Sequence, residues 1–141
     1  MNLRKAGISD KQNILDIINN LLRLDSPWNE DGFVETQVKN GEYFLAEIDG
    51  KTAGIISLRQ KQDKIYIETL AVEEKFRLKG IGSQLVEFAK QFTKERGLAS
   101  LRACSFFEYK AEGFYEKLGF SRLGKTGKYN GRKYHRFAIE I

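Results

Sequence analysis

Apolar residues recur along this chain at two spacings, and the spacing changes at glycines and at one proline. Residues 3–6 read as a short strand. Ile14, Ile17, Ile18, Leu21 and Leu22 follow at helical spacing, which is one face of an amphipathic helix. Ser9 and Gln12 before it have the form of a capping box. Pro27 and its neighbours break the pattern. A second short helix over 30–39 is expected to stop at Asn40-Gly41. Residues 43–48 and 52–60 are strand-like runs joined by Asp49-Gly50, a strong hairpin signal. A fourth strand over 64–72 pairs back across Lys61-Gln62-Asp63. Ile81, Leu85, Phe88, Ala89 and Phe92 then mark a helix to about residue 96, with Gly97 as its stop. A strand over 98–106, a helix over 110–118, a strand opening at 120–123 and a last strand over 134–141 complete the chain.

The predicted order is β-α-α-β-β-β-α-β-α-β-β. Early hairpins and a central β-α-β crossover imply an α/β fold with a mixed sheet and helices on its faces. A right-handed crossover puts the loop after the fourth strand at that strand's carboxyl end, where α/β sheets usually hold ligands. With 141 residues, no repeats and no linker, one domain over 1–141 is expected.

Composition narrows the class. Hydrophobic residues make up 41% and charged residues 30%, ordinary for a globular chain. No apolar run approaches the roughly 20 residues of a membrane span. The N-terminus has no signal-peptide core, and the single Cys104 suits a reducing compartment. A cytoplasmic protein without a membrane partner is therefore expected. The net charge of +5 favours polyanions. No nucleic-acid motif accompanies it, so nucleic acid is not an expected partner.

The candidate chemistry centres on Arg77-Leu78-Lys79-Gly80-Ile81-Gly82, between a strand and a helix. Two glycines allow close backbone approach. The first helical turn presents unsatisfied N–H groups at the positive end of the helix dipole. Arg77 and Lys79 add charge, so the joint reads as a phosphate or pyrophosphate site. The string is neither a P-loop nor a complete G-x-G-x-x-G.

Arg77-x-x-Gly80-x-Gly82 resembles the [Arg/Gln]-x-x-Gly-x-[Gly/Ala] loop of the GNAT superfamily of N-acetyltransferases. Leu70-Ala71-Val72 before it supports the resemblance. So does Phe114-Tyr115-Glu116-Lys117-Leu118-Gly119-Phe120 downstream, which is similar to the superfamily's second hallmark. The resemblance covers the order of elements along essentially the whole chain. It implies a GNAT-like, mostly antiparallel sheet of six to seven strands with helices on both faces. It also implies direct acetyl transfer from acetyl-CoA to a primary amine of a small molecule or peptide. By resemblance, Arg77, Leu78, Lys79, Gly80, Ile81, Gly82 and Ser83 hold the pyrophosphate. The backbone of Leu70, Ala71 and Val72 holds the pantetheine arm and polarises the thioester.

The same resemblance makes Tyr115 the general acid toward the CoA sulfur, and a phenol of pKa near 10 is protonated at neutral pH. Glu68 is the general-base candidate, a carboxylate in an otherwise apolar strand whose burial is expected to raise its pKa. Many relatives carry Asn three residues before the Ala that is Ala111 here, contacting the CoA arm. This chain has Glu108 there, which accepts but does not donate hydrogen bonds. Glu108 is thus a cofactor-side position and a second candidate base. Cys104 is expected to be a small buried thiol and His135 a packed ring, with no Cys/His metal spacing. Residues 24–33 and 125–132 are the expected acceptor side, and homodimers are common in the superfamily. The rival reading is a catalytically silent acyl-CoA-binding regulatory module.

Overall fold

The computed structural model describes residues 1–141. Its elements are β1 (Asn2–Lys5), α1 (Lys11–Ile17), α2 (Asp31–Lys39), β2 (Tyr43–Ile48), β3 (Lys51–Lys61), β4 (Lys64–Val72), α3 (Ile81–Glu95), β5 (Ser100–Phe106), α4 (Glu112–Lys117), β6 (Ser121–Arg122), β7 (Gly127–Tyr129) and β8 (Arg132–Glu140). The strands hydrogen-bond in the order β1-β2-β3-β4-β5-β8-β6, with β7 also on β8. β4 and β5 run parallel. The pairs β1-β2, β2-β3, β5-β8, β6-β8 and β7-β8 are antiparallel. The sheet is therefore mixed and mostly antiparallel, as expected, with one short strand more than the sequence reading gave. That strand is β7. Asn130 and Gly131, with φ 50° and 78°, turn it into β8, and an Asn-Gly pair is the usual signal for such a hairpin.

The chain divides into two compact units, Met1–Leu58 with Thr69–Val86, and Arg59–Glu68 with Glu87–Ile141. In the first, Ile14, Ile18, Val34, Tyr43, Leu45 and Ile55 share one buried cluster, so α1 and α2 cover one face of the sheet. Gly54 is next to Ile55 and faces the other way. A Cβ on Gly54 would lie 3.0 Å from the Ala71 carbonyl and 3.1 Å from Leu85 of α3. Helices thus lie on both faces, and α3 comes so close that position 54 has room only for hydrogen.

The start of α1 differs from the expected Ser9 cap. A 3-10 turn, Ile8–Asp10, precedes the helix. Asp10 accepts the Gly7 N–H at 2.8 Å and two bonds from the Arg4 guanidinium at 2.8 and 2.9 Å. Arg4 is itself fixed on Glu47 at 2.8 Å. An anchored guanidinium draws in a carboxylate more strongly than a backbone N–H draws in a hydroxyl, so the cap falls to Asp10. The same hydrogen bonds hold the Asp10 carboxyl below its ordinary range. After Ile17 the helix continues as a π-type turn, Ile18–Leu22.

In the second unit, alternation along the strands sorts side chains onto two faces. Ile65, Ile67, Leu101, Ala103 and Phe137 are buried on one. Helix α4 lies there, with Tyr115 stacked on Phe137 at 4.8 Å, and Lys90 of α3 bonds the Leu118 carbonyl at 2.8 Å. Tyr66, Glu68, Arg102, Cys104, Phe106 and Arg136 take the other face, and none of them is buried. This corrects the expectation for Cys104, which is exposed because no helix of this unit lies over its side of β5. β5 begins at Ser100 rather than 98 because Leu98 is still engaged in the helix stop, donating to the Thr93 carbonyl at 3.2 Å. No helix is long and apolar enough to cross a membrane.

Candidate active site

The loop residues gather in the first unit. β4 ends at Val72, a 3-10 turn spans Glu74–Phe76, and α3 begins at Ile81. Arg77 folds back so that its Nε donates to the Val72 carbonyl at 3.0 Å, which ties the basic loop to the strand it leaves. Leu78 and Gly80 have φ of 62° and 78°. Only glycine takes that conformation without strain, so the Leu78 backbone is held there by its surroundings. Its side chain is fully exposed. The first intrahelical bond runs from Gln84 N to Gly80 O at 3.0 Å. The N–H groups of Ile81, Gly82 and Ser83 precede it and point out of the helix. Lys75 and Lys79 lie 5.2 and 5.8 Å from the Phe76 ring. Free N–H donors and the helix dipole, in a loop that carries three cations, suit a phosphate or pyrophosphate.

Leu70, Ala71 and Val72 belong to the same unit. The parallel β4-β5 ladder runs from Lys64 opposite Ser100 to Ile67 opposite Ala103. These three residues continue β4 beyond that ladder.

Glu68, Glu108, Ala111 and Tyr115 all fall in the second unit. Tyr115 is 4% exposed. Phe137 stacks on its ring, and Phe114 and Phe120 meet it edge-on at 5.1 and 5.3 Å. Burial, with a smaller contribution from Cys104, pushes the phenol well above its ordinary value. Its hydroxyl makes no hydrogen bond to protein. Ala111 caps α4, and its carbonyl accepts from Tyr115 N at 3.1 Å.

Glu68 points to the open face of the sheet and Tyr115 to the face covered by α4. Sequence reasoning expected apolar surroundings for Glu68. The structure pairs its carboxylate with the Arg59 guanidinium, a partner that alternation along β3 places on the same face. Glu108 is likewise engaged, accepting from Arg132 Nε at 2.7 Å.

His135 is partly buried, as expected, but has a partner that the sequence did not suggest. Its Nε2 lies 2.8 Å from Glu112, its ring stacks on Phe107 at 4.0 Å, and its Nδ1 is buried without a partner. Cys104 stays a thiol: desolvation among its neighbours raises its pKa, against the pull of Arg136 and Lys61. No group of three or more His, Cys, Asp and Glu side chains gathers at a metal-binding spacing.

Comparison with known proteins identifies the family and the fold. The profile of the acetyltransferase (GNAT) family matches residues 14–120. An uncharacterized N-acetyltransferase of Chlorobaculum tepidum is 32% identical over 85 residues. The match spans 60% of this chain and about half, 52%, of that relative. Ard1 from Thermoplasma volcanium superposes with a TM-score of 0.86 at 18% identity, over 99% of this chain and 97% of that one. Arabidopsis thaliana Naa50, solved with the bisubstrate analogue CoA-Ac-MVNAL, gives 0.84 at 20% identity, over 99% and 98%. At these identities the two structures establish a shared fold.

Proposed function

The chain belongs to the acetyltransferase (GNAT) family, and from that membership we propose that it moves an acetyl group from acetyl-CoA to a primary amine by direct attack in a ternary complex. The observation that carries the reading is the loop at the start of α3. The N–H groups of Ile81, Gly82 and Ser83 open α3 there without intrahelical partners, behind a left-handed Gly80, and Arg77 and Lys79 lie in the same loop. A diphosphate is the anion such a joint suits best. The bound bisubstrate analogue of Naa50 has the same two halves, CoA and an acceptor.

When bound, acetyl-CoA supplies the activated acetyl group. In this reading Arg77 to Ser83 hold its diphosphate, and the strand backbone at Leu70, Ala71 and Val72 holds the arm and donates to the thioester oxygen. The Glu68 carboxylate, oriented by Arg59, takes a proton from the incoming ammonium directly or through water. As the C–N bond forms and the C–S bond breaks, Tyr115 would give its hydroxyl proton to the departing sulfur and recover one from solvent, so of the two protons the ammonium loses one ends on the thiol and one in solvent. Glu108 serves the cofactor side through Arg132 rather than as the base. A single-domain, cytoplasmic enzyme fits the single Cys104 and the element order.

The test is thiol release from acetyl-CoA with a panel of amines, with the acetylated product identified by mass. Turnover that falls about 100-fold in Tyr115→Phe supports the acid role. Turnover unchanged in that variant removes it. Tight acetyl-CoA binding without turnover of any amine indicates the silent acyl-CoA-binding module instead.

A further inference from the structure

The open face of the second unit carries positive charge that the protein itself does not neutralise. Arg59 is paired with Glu68, Lys64 with Asp63 and Arg132 with Glu108. Lys61, Arg102 and Arg136 have no carboxylate at ion-pair distance. Their partners are neutral: Lys61 lies over the Tyr66 ring at 5.4 Å, and Arg102 Nε donates to the Ser100 hydroxyl at 3.1 Å. Arg136 donates to the Tyr134 hydroxyl at 3.4 Å and sits over that ring at 5.5 Å. These contacts fix where the cations stand; the Asp63 carboxylate, whose field reaches Arg102, is itself held by Lys64, so the patch keeps an excess of positive charge.

The three converge on one patch. In the β5-β8 register Cys104 lies opposite Arg136, and in the β4-β5 register Tyr66 lies opposite Arg102. The Cys104 thiol feels the fields of Arg136, Lys61 and Glu68 together. The proposed base therefore shares its face with three unpaired cations.

Resting on the acetyltransferase reading above, we propose that the acceptor is the amino end of an acidic peptide, whose carboxylates meet Lys61, Arg102 and Arg136 while its amine reaches Glu68. Charge complementarity selects an anion. The strands β3, β4, β5 and β8 are neighbours, so the patch spans roughly 14 Å at about 4.8 Å per strand. That is roughly four residues of extended peptide, longer than a compact metabolite. Cations also cover the rings on this face, including Arg132 at 3.9 Å over Phe106. Rings so covered are poor platforms for stacked bases, which favours carboxylates over single-stranded nucleic acid. A polyamine or other polycation is repelled here.

The test compares three pentapeptides with free α-amines: one acidic after its first residue, its Asn/Gln counterpart and its Lys counterpart. Thiol release gives kcat/KM, and titration calorimetry gives acetyl-CoA affinity. The acidic peptide should exceed the amide counterpart by about tenfold at low salt. In the double variant Arg102→Gln, Arg136→Gln the ratio should fall toward one, with acetyl-CoA affinity kept. Lys94→Gln, which removes one charge at an exposed position of α3, should leave the ratio in place. Equal rates, or preference for the amide or Lys peptide, overturns the proposal. So does tighter binding of an oligouridine of equal charge than of the acidic peptide. No turnover of any peptide with acetyl-CoA still bound overturns it while the cofactor reading stands. Loss of acetyl-CoA binding in the wild type overturns that reading itself.

Discussion

Arg132 donates from Nε to the Glu108 carboxylate at 2.7 Å. The carboxylate before α4 is thus held by a guanidinium. Glu108→Gln is expected to change kcat less than about threefold and stability by under about 1 kcal/mol, because the pair is half exposed. Glu68→Gln should lower kcat by about 100-fold or more. Thiol-release kinetics on the two variants checks the contrast. The reverse ranking would make Glu108 the base.

In the proposed mechanism Tyr115 connects catalysis to alkaline stability. Burial raises its pKa in the folded protein, so the folded state keeps its proton where the unfolded chain loses it. That contribution is complete below about pH 10 and is lost as pH rises further toward the folded value. Tyr115→Phe should therefore lose about 100-fold in kcat yet resist alkaline unfolding better than the wild type. Unfolding midpoints between neutral pH and pH 11 measure this, and equal alkaline sensitivity would contradict it.

Asp10 works at the acid end. Arg4 first, then the Gly7 N–H, lowers its pKa, so its stabilisation is present above about pH 4 and fades as pH falls through the folded value. Asp10→Ala should cost about 1–2 kcal/mol at neutral pH by removing the cap and the partner of Arg4. It should also flatten the loss of stability below pH 4. Urea unfolding at several pH values checks both.

Gly54 sets the approach of α3 to β4. Its Cβ would press on the Ala71 carbonyl, which is backbone and cannot swing aside. Gly54→Val should cost about 1–3 kcal/mol and weaken acetyl-CoA binding, since Ala71 and Ile81 both belong to the proposed site. A variant as stable as the wild type would mean that α3 shifts freely.

Much of this was legible in the sequence because period and turn chemistry agreed. Asp49-Gly50 gave its hairpin, and the apolar face of α3 gave the helix behind the loop. On that face Phe88 and Phe92 are half-buried, while Thr93, outside the apolar set, is fully buried with its hydroxyl on the Ala89 carbonyl at 2.8 Å. Helical spacing does not distinguish a rim position from a core one. The charged partners were not legible. Arg59 reaches Glu68 across a hairpin, Arg132 reaches Glu108 from a different strand, and Arg4 holds the Asp10 that replaces Ser9 at the start of α1. Each pairing depends on register between strands and on which face is left open, and neither follows from spacing along one segment. Cys104 was misplaced for the same reason: its strand is central, but one face of that strand is uncovered.

The most direct test of the central claim is titration calorimetry of acetyl-CoA into the wild type and into Gly82→Trp, which puts a bulky side chain in the first turn of α3. Saturable binding to the wild type is expected, with affinity lowered by about 100-fold or more in a variant that remains folded. Absence of binding to the folded wild type, or equal affinity in the variant, would contradict the assignment of the loop to the diphosphate of acetyl-CoA.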